Sequence, residues 1–491
     1  MNCVLGVDIG TTNVKVLAVS STDWEIIADT SLPVPTLSPQ PGYAEQDPEK
    51  VWQAVKQGIS EVTIAAKHKK VTLESVSFSA GMHSVMAIGA DGKPLTNAIL
   101  WSDNRAEPQS DELHTSQKEL GDDIYAHTGT PIHPMIPLCK LAWFRANQPD
   151  VLSQASKFVS LKEYVWWKLT GRYDIDYSIA TATGLFDQQE KTWYKPALDV
   201  AGVRSEQLSE PQPTTFAVVY DPEKEGVART ALPAGINLFP GASDGCLANL
   251  GAGCIKPGIT TITIGTSGAV RQTVNKPQRD PHGRLFCYYL DERDGRPYYV
   301  VGGPSNNGAN VLQWLSEKLT QQETKAVLAE AETVAVGADD LLFMPYLHGE
   351  RAPLWDASAR GAYLNVDYRH SRAHFIRAAL EGVMFNLLSI ECLLAKQTGP
   401  TQVIHANGGF AQSDFWVQMM ADIFGVPVKL NASNESSAMG AVLLVSDLKA
   451  SLEDVAEDVL FGKTFEPDPE RHQQYKDVFS RWEEVLKRMN E

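Results

Sequence analysis

Residues 6–15 read Gly-Val-Asp-Ile-Gly-Thr-Thr-Asn-Val-Lys. Apolar runs at 3–7 and 14–19 flank the turn residues Gly10, Thr11, Thr12 and Asn13, so the segment reads as a β-hairpin. Backbone N–H groups and hydroxyls at such a tip can cradle phosphate oxygens. Asp8, just before the turn, repels phosphate; its charge makes sense there with a hydrated Mg²⁺ in between. One acid beside several hydroxyls points to nucleotide handling, with an ordinary hairpin as the plain alternative.

A similar segment recurs at 259–270, Ile-Thr-Thr-Ile-Thr-Ile-Gly-Thr-Ser-Gly-Ala-Val. Thr261 and Thr263 alternate with isoleucines as in a strand, and the tip, Gly265 to Gly268, is again glycine and hydroxyls. Two such hairpins suggest two related halves facing one nucleotide. The chain has no Walker loop and no dinucleotide fingerprint opening a helix after a strand.

Outward from the first hairpin, a third strand over 25–34 precedes a well-signalled helix. Asp47 is its N-cap, Pro48 sits in its first turn, and Val51, Trp52, Val55, Ile59 and Val62 share one face. Residues 71–80 form the next strand. Three meandering strands, helix and strand is the pattern of a ribonuclease-H-like α/β domain. Residues 137–170 read largely as helix, with Trp166, Trp167 and Leu169 in its last part. Residues 238–244 are a short apolar segment ending in Gly-Ala-Ser-Asp-Gly. The second hairpin opens another α/β half, with helices over 372–393 and 412–424. The tail from about Ser451 is charged, helical at its end and expected to pack back as a cap. The division falls between domains 1–246 and 247–491.

A chain of 491 residues can bury two or three cores. With 43% hydrophobic and 21% charged residues it is globular. A formal net charge of −17 argues against nucleic-acid or membrane-surface partners, and obliges an anionic ligand to find local positive groups. No leader is visible and no apolar run reaches the length of a membrane span. The cysteines, Cys3, Cys139, Cys246, Cys254, Cys287 and Cys392, are scattered, as expected for reduced thiols in a cytoplasmic protein. The histidines show no metal-ligand spacing.

Three places carry candidate chemistry. Asp244 lies where a strand gives way to Gly245, and Gly241 and Gly245 would let a ligand approach the backbone. A carboxylate there suits proton acceptance from a substrate hydroxyl in phosphoryl transfer; a helix N-cap is the competing role. Gly408 and Gly409 sit between a strand and a helix, where a turn without Cβ atoms can lie flat against an adenine or ribose, or be a routine turn. Arg105 and His133 could donate to a carboxylate, against a structural ion pair and a turn-stabilising histidine.

In order and spacing, these segments resemble the FGGY carbohydrate kinase family over nearly the whole chain. They are the first loop from Asp8 to Thr12, Trp101-Ser-Asp-Asn-Arg105, Lys140-Leu-Ala-Trp143, Asp244, Gly265-Thr266, Pro345 through Arg351, Gly408-Gly409, and Ser437 through Ala441. One departure is Ala146, where the family usually has the first of two polar residues; Asn147 keeps the second.

The resemblance implies an actin-like ATPase fold of two ribonuclease-H-like domains with an interdomain cleft, sugar mainly on the first and MgATP mainly on the second. It implies Asp244 as general base, and Asp8 with Asp244 as positioners of Mg²⁺. Gly10, Thr11, Thr12, Lys15, Gly265, Thr266, Gly308, Gly408 and Gly409 are the implied nucleotide contacts. Met82, His83, Trp101, Arg105, His133 and Asp244 are the implied substrate contacts.

The run Met82-His83-Ser84, with Trp101 to Arg105 and Thr128 to Pro134, looks most like the bacterial gluconate kinases of the family. Xylulokinases, usually Met-His-Gly, are the nearest alternative. The expected partner is a small sugar or sugar acid, with homodimerisation left open. Two other classes compete with this reading. A conformational ATPase of the actin superfamily has no need of the polar and aromatic set Met82, His83, Trp101, Asp103 and Arg105. A catalytically dead sugar-binding regulator is disfavoured by intact Asp8, Asp244 and Thr266.

Overall fold

A computed structural model describes residues 2–432 and 435–489. The opening is the expected meander: β1 (Asn2–Ile9), β2 (Asn13–Ser20) and β3 (Ile26–Pro33) pair antiparallel in sequence. Helix α1 (Pro48–His68) begins where the Asp47 side chain accepts the N–H groups of Glu49 and Lys50, and it buries Val51, Trp52, Val55, Ile59 and Val62. It feeds β4 (Thr72–Ala80), which lies parallel to β1. The short β5 (Val218–Val219) and then β6 (Asn237–Ser243) complete a six-stranded sheet in the order β5-β6-β4-β1-β2-β3, with β6 parallel to β4.

Helix α2 (Asp244–Gly251) leads into the second sheet. Strands β7 (Ile259–Ile264) and β8 (Gly268–Val274) form the second hairpin, followed by β9 (Phe286–Arg293) and β10 (Arg296–Ser305). Helix α3 (Arg372–Thr398) precedes β11 (Val403–Asn407), helix α4 (Asp414–Phe424), β12 (Val428–Asn431) and helix α5 (Ser436–Ser446). The tail adds an edge strand, β13 (Phe461–Phe465), and helix α6 (Pro469–Met489). The order is β9-β10-β8-β7-β11-β12-β13, with β7, β11 and β12 parallel. Each half therefore has a central strand with antiparallel meander on one side and helix-fed parallel strands on the other. That is the ribonuclease-H-like plan, and two such lobes make the α/β, actin-like ATPase architecture.

Several details depart from the sequence reading. β13 was not foreseen, since its residues are largely exposed and lack alternation. The tail does pack back: Tyr475, Val478, Phe479 and Trp482 of α6 join the C-lobe core. Helix α3 is, by length and composition, apolar enough to cross a membrane, contrary to the expectation that no apolar run reaches that length. Its apolar residues lie instead in that core. All six cysteines are free thiols, and five are buried.

The lobes meet at a helix crossing and along β9, among other contacts. Helix α5 crosses α2 and lies on the N-lobe sheet with backbone almost touching backbone. A Cβ on Gly440 would overlap the Leu247 carbonyl, one on Gly251 the Ser436 carbonyl, and one on Gly6 the Ala438 carbonyl. Val4, Leu17 and Val19 of the first sheet share a core there with Leu247, Leu250, Ala441 and Val442. Elsewhere β9 is stitched to N-lobe segments. The Cys287 N–H donates to Gly129 O (2.8 Å), Tyr125 Oη–H to Leu285 O (2.8 Å) and Thr214 Oγ1–H to Asp291 Oδ1 (2.8 Å).

Candidate active site

Parallel pairing sets the acids side by side. Asp8 registers with Ser79, and Ser243 with Ala80, so the carboxyl ends of β1, β4 and β6 coincide. Asp8 ends on that edge, its Oδ1 accepting from Ser79 Oγ at 2.7 Å. Asp244 is the first residue of α2; Ser243 takes the N-cap position, so capping is not what occupies the Asp244 carboxylate. Its Oδ1 accepts only the adjacent Gly245 N–H, at 2.6 Å. Gly241 does not open the backbone to a ligand: it has φ +65° at a bulge, and β4 fills the space beside it.

Both acids hold their protons more tightly than usual. Burial, with the neighbouring Asp244 charge, pushes Asp8 up to about 6. Burial also raises Asp244, against the pull of the Arg271, Lys162 and Arg351 charges and the Gly245 N–H. Two desolvated carboxylates that destabilise each other's charge suit a divalent cation. Mg²⁺ is commonly held by one or two carboxylates together with substrate phosphates. Among the described residues no cluster of three metal-ligating side chains exists.

The second hairpin and the glycine pair share the other edge. Thr263 registers with Asn407, placing the tip at 265–267 beside Gly408 and Gly409. The tip is rigid: the Ala309 N–H donates to Gly265 O (2.8 Å) and the Asn310 N–H to Thr266 O (3.2 Å), while Gly308 packs where a Cβ would strike Ser267. Gly408 has φ +106° and lies against Ile264, whereas space is open above Gly265 and Gly409. At the first hairpin, Thr11 faces the cleft, the Gly10 N–H closes the turn on Asn13 O (3.1 Å), and Thr12 O accepts the Val34 N–H (2.9 Å). Lys15 pairs across the lobes with Glu435 at 2.7 Å.

Between the edges lies a cavity of about 260 Å³, lined by Thr11, Met82, His83, Trp101, Met135 and Asp244 from one lobe and Arg271, Tyr288 and Arg351, among others, from the other. The cavity wall is thus shared by the lobes. Its polar groups include two orphans, Arg271 Nε and Tyr288 Oη, buried without a hydrogen-bond partner. Such groups cost free energy until a ligand satisfies them. Arg351 lies 4.9 Å over the Trp101 ring and donates to Asn306 Oδ1 (2.8 Å) and Ser305 O (3.1 Å).

His83 has φ +69°, rare for a residue with a side chain. Two contacts hold it. Its Nδ1–H donates to Ala182 O (2.8 Å), and Lys140 Nζ donates to His83 O (2.7 Å). The same ammonium donates to Leu100 O at 2.7 Å, next to Trp101. Lys140 is fully buried, and desolvation brings it down to about 7. Burial beside cations drives His83 and His133 down to about 3, so both are neutral.

Arg105 requires correction. Its guanidinium donates to Asp103 through Nε (2.8 Å) and Nη2 (2.8 Å) and to Glu45 through Nη2 (2.6 Å), and it stacks 3.9 Å over Tyr43. With Nε and Nη2 engaged and the side chain 5% exposed, it is the structural ion pair. His133 fills the turn-stabilising role, its Nδ1 accepting the Met135 N–H at 3.2 Å. Ala146 is exposed at the end of the helix Pro137–Asn147, so that departure touches only surface. The residues that sequence reasoning missed are Arg271 and Tyr288. Arg271 stood just past the second hairpin, its direction hidden until the strand was placed.

Comparison with known proteins agrees with this geometry. The N-terminal domain of the FGGY family of carbohydrate kinases matches residues 3–251, and the family's C-terminal domain matches residues 260–446. The chain is 41% identical to a gluconokinase of Bacillus subtilis (strain 168) over 90% of this chain and 86% of that one. It superposes on a gluconate kinase from Lactobacillus acidophilus with TM-score 0.92 at 32% identity, covering 99% and 98% of the two chains. A ligand-bound xylulose kinase from the same organism gives TM-score 0.92 at 32% identity, covering 100% and 99%.

Proposed function

The chain belongs to the FGGY family of carbohydrate kinases, and from that premise we propose that it transfers the γ-phosphoryl group of ATP to the terminal primary hydroxyl of D-gluconate, giving 6-phosphogluconate. The observation that carries the reading is the position of Asp244, at the meeting of two phosphate-type hairpins and a cavity with unsatisfied polar groups. Two guanidiniums in that cavity and the 41% identity to a gluconokinase favour a sugar acid. Xylulose is the second reading, favoured by the likeness to a xylulose kinase over the whole chain.

Asp244 accepts the proton of the attacking hydroxyl as the new O–P bond forms and the bond from phosphorus to ADP breaks. Its raised proton affinity suits a base working on an alcohol. Asp8 and Asp244 would hold Mg²⁺, which when bound neutralises charge on the phosphates. Gly10, Thr11 and Thr12 on one side and Gly265 and Thr266 on the other would receive phosphate oxygens, and Gly408 and Gly409 the adenosine. His83 Nε2, left as acceptor by the bond from Nδ1, would take a sugar hydroxyl. Residues 1–246 would carry most sugar contacts and 247–491 most nucleotide contacts. A cytoplasmic setting fits the six free thiols.

The test is ADP release measured across sugars and sugar acids. Gluconate should be the preferred substrate, and Asp244→Asn should lose about 10²–10⁴-fold in kcat while still binding nucleotide. Preference for xylulose would replace the substrate, and near-normal turnover in the variant would remove Asp244 from the base role.

A further inference from the structure

The cavity wall holds two guanidiniums against one carboxylate, that of Asp244. Arg271 and Arg351 both line it, and burial, with the Arg271 charge and against the pull of Glu350, holds Arg351 down to about 10. Arg351 is engaged by Asn306, Ser305 and the Trp101 face. Arg271 is not: its Nε has no partner, and one Nη reaches only Thr263 Oγ1, at 3.5 Å. The Asp244 carboxylate lowers the cost of its charge without bonding it. A desolvated guanidinium with open donors is a receptor for a planar anion. The phosphate cradles are the hairpin tips, whereas Arg271 stands three residues beyond Gly268, among sugar-side groups such as Met82 and Tyr288.

We infer that Arg271 is the specificity-determining residue of this site, its guanidinium receiving the carboxylate of the sugar acid beside Arg351. The inference rests on the gluconate reading. The hydroxyl of Tyr288, also unpartnered, completes the polar wall next to it. A neutral ketose would leave the Arg271 donors unsatisfied, so the site discriminates by an unmet demand as well as by an added bond.

Steady-state kinetics on wild type, Arg271→Met and Arg271→Lys test this with gluconate, D-xylulose and ATP varied in turn. Arg271→Met should lose about ten- to a hundred-fold in kcat/KM for gluconate. The loss on xylulose should be at least tenfold smaller, and the ATP KM should move less than the gluconate KM. Arg271→Lys, which keeps the charge without the fork, should recover part of the loss. One arm needs no variant: D-glucitol, which lacks the carboxylate, should compete with gluconate at the wild-type site at least tenfold more weakly than gluconate binds. Equal losses on both substrates, an equal rise in the ATP KM, or tight glucitol binding would overturn the assignment. If wild type phosphorylates no sugar acid at all, the gluconate reading falls first and this assignment with it.

Discussion

At the scale of the residue, Lys140 shows how a buried charge can position a site it does not enter. Its ammonium ties the His83 and Leu100 carbonyls together, so one side chain holds both backbone segments that present Met82, His83 and Trp101. Lys140→Met should leave these carbonyls unsatisfied, cost about 1–3 kcal/mol of stability, and raise the KM for the sugar more than that for ATP. Equal changes in both KM values would make the residue merely structural. The pH dependence has a definite sign. The folded chain releases the Lys140 proton near 7 and the unfolded chain near 10.5, so between those values the unfolded chain binds more protons. Denaturant titrations should show wild type gaining on the variant as pH rises from 7 to 9. A gap independent of pH would mean that the amine keeps its proton. Arg105 shows what sequence hides at this scale. An arginine near a presumed pocket looks free until Glu45, distant in sequence, arrives to pair with it. Arg271 looked like an ordinary strand residue until the fold turned it toward Asp244. Asp8 and Asp244 could be singled out because each sits beside a turn glycine, but turn chemistry left Asp244 between base and helix cap, and only the family resemblance favoured the base.

At the scale of the element, the two hairpins and α1 were legible because caps, turn residues and periodicity lie within a few positions of one another. The crossing of α5 over α2 was not, since nothing local to Gly6, Gly251 or Gly440 says which backbone will approach. That crossing should be intolerant of volume. Gly440→Ala pushes a methyl into the Leu247 carbonyl, which the helices relieve only by separating. Overpacking of this kind costs about 1–3 kcal/mol. A urea titration showing a loss below about 0.5 kcal/mol, the usual surface value, would mean that the helices can slide apart freely. The edge strand β13 escaped for a related reason: its exposed residues follow no core, and only β12 beside it makes it a strand.

At the scale of the molecule, the cavity takes its wall from both lobes, and β9 joins them away from the helix crossing. Ligands that touch both sides should draw the lobes together, excluding the water that would otherwise hydrolyse ATP. Small-angle scattering should find the complex with gluconate and an unreactive ATP analogue more compact than the free protein; superimposable profiles would refute closure. The paired hairpins carry one more consequence. Their scaffolds match, yet the position two residues before the first tip glycine is Asp8 in one and Thr263 in the other. A frame of two equivalent halves has no front and no back, and a nucleotide could settle in it either way round. One acid for one hydroxyl breaks that symmetry. A metal held by Asp8 would have its counter-charge in a single half, and donor and acceptor would then not trade seats.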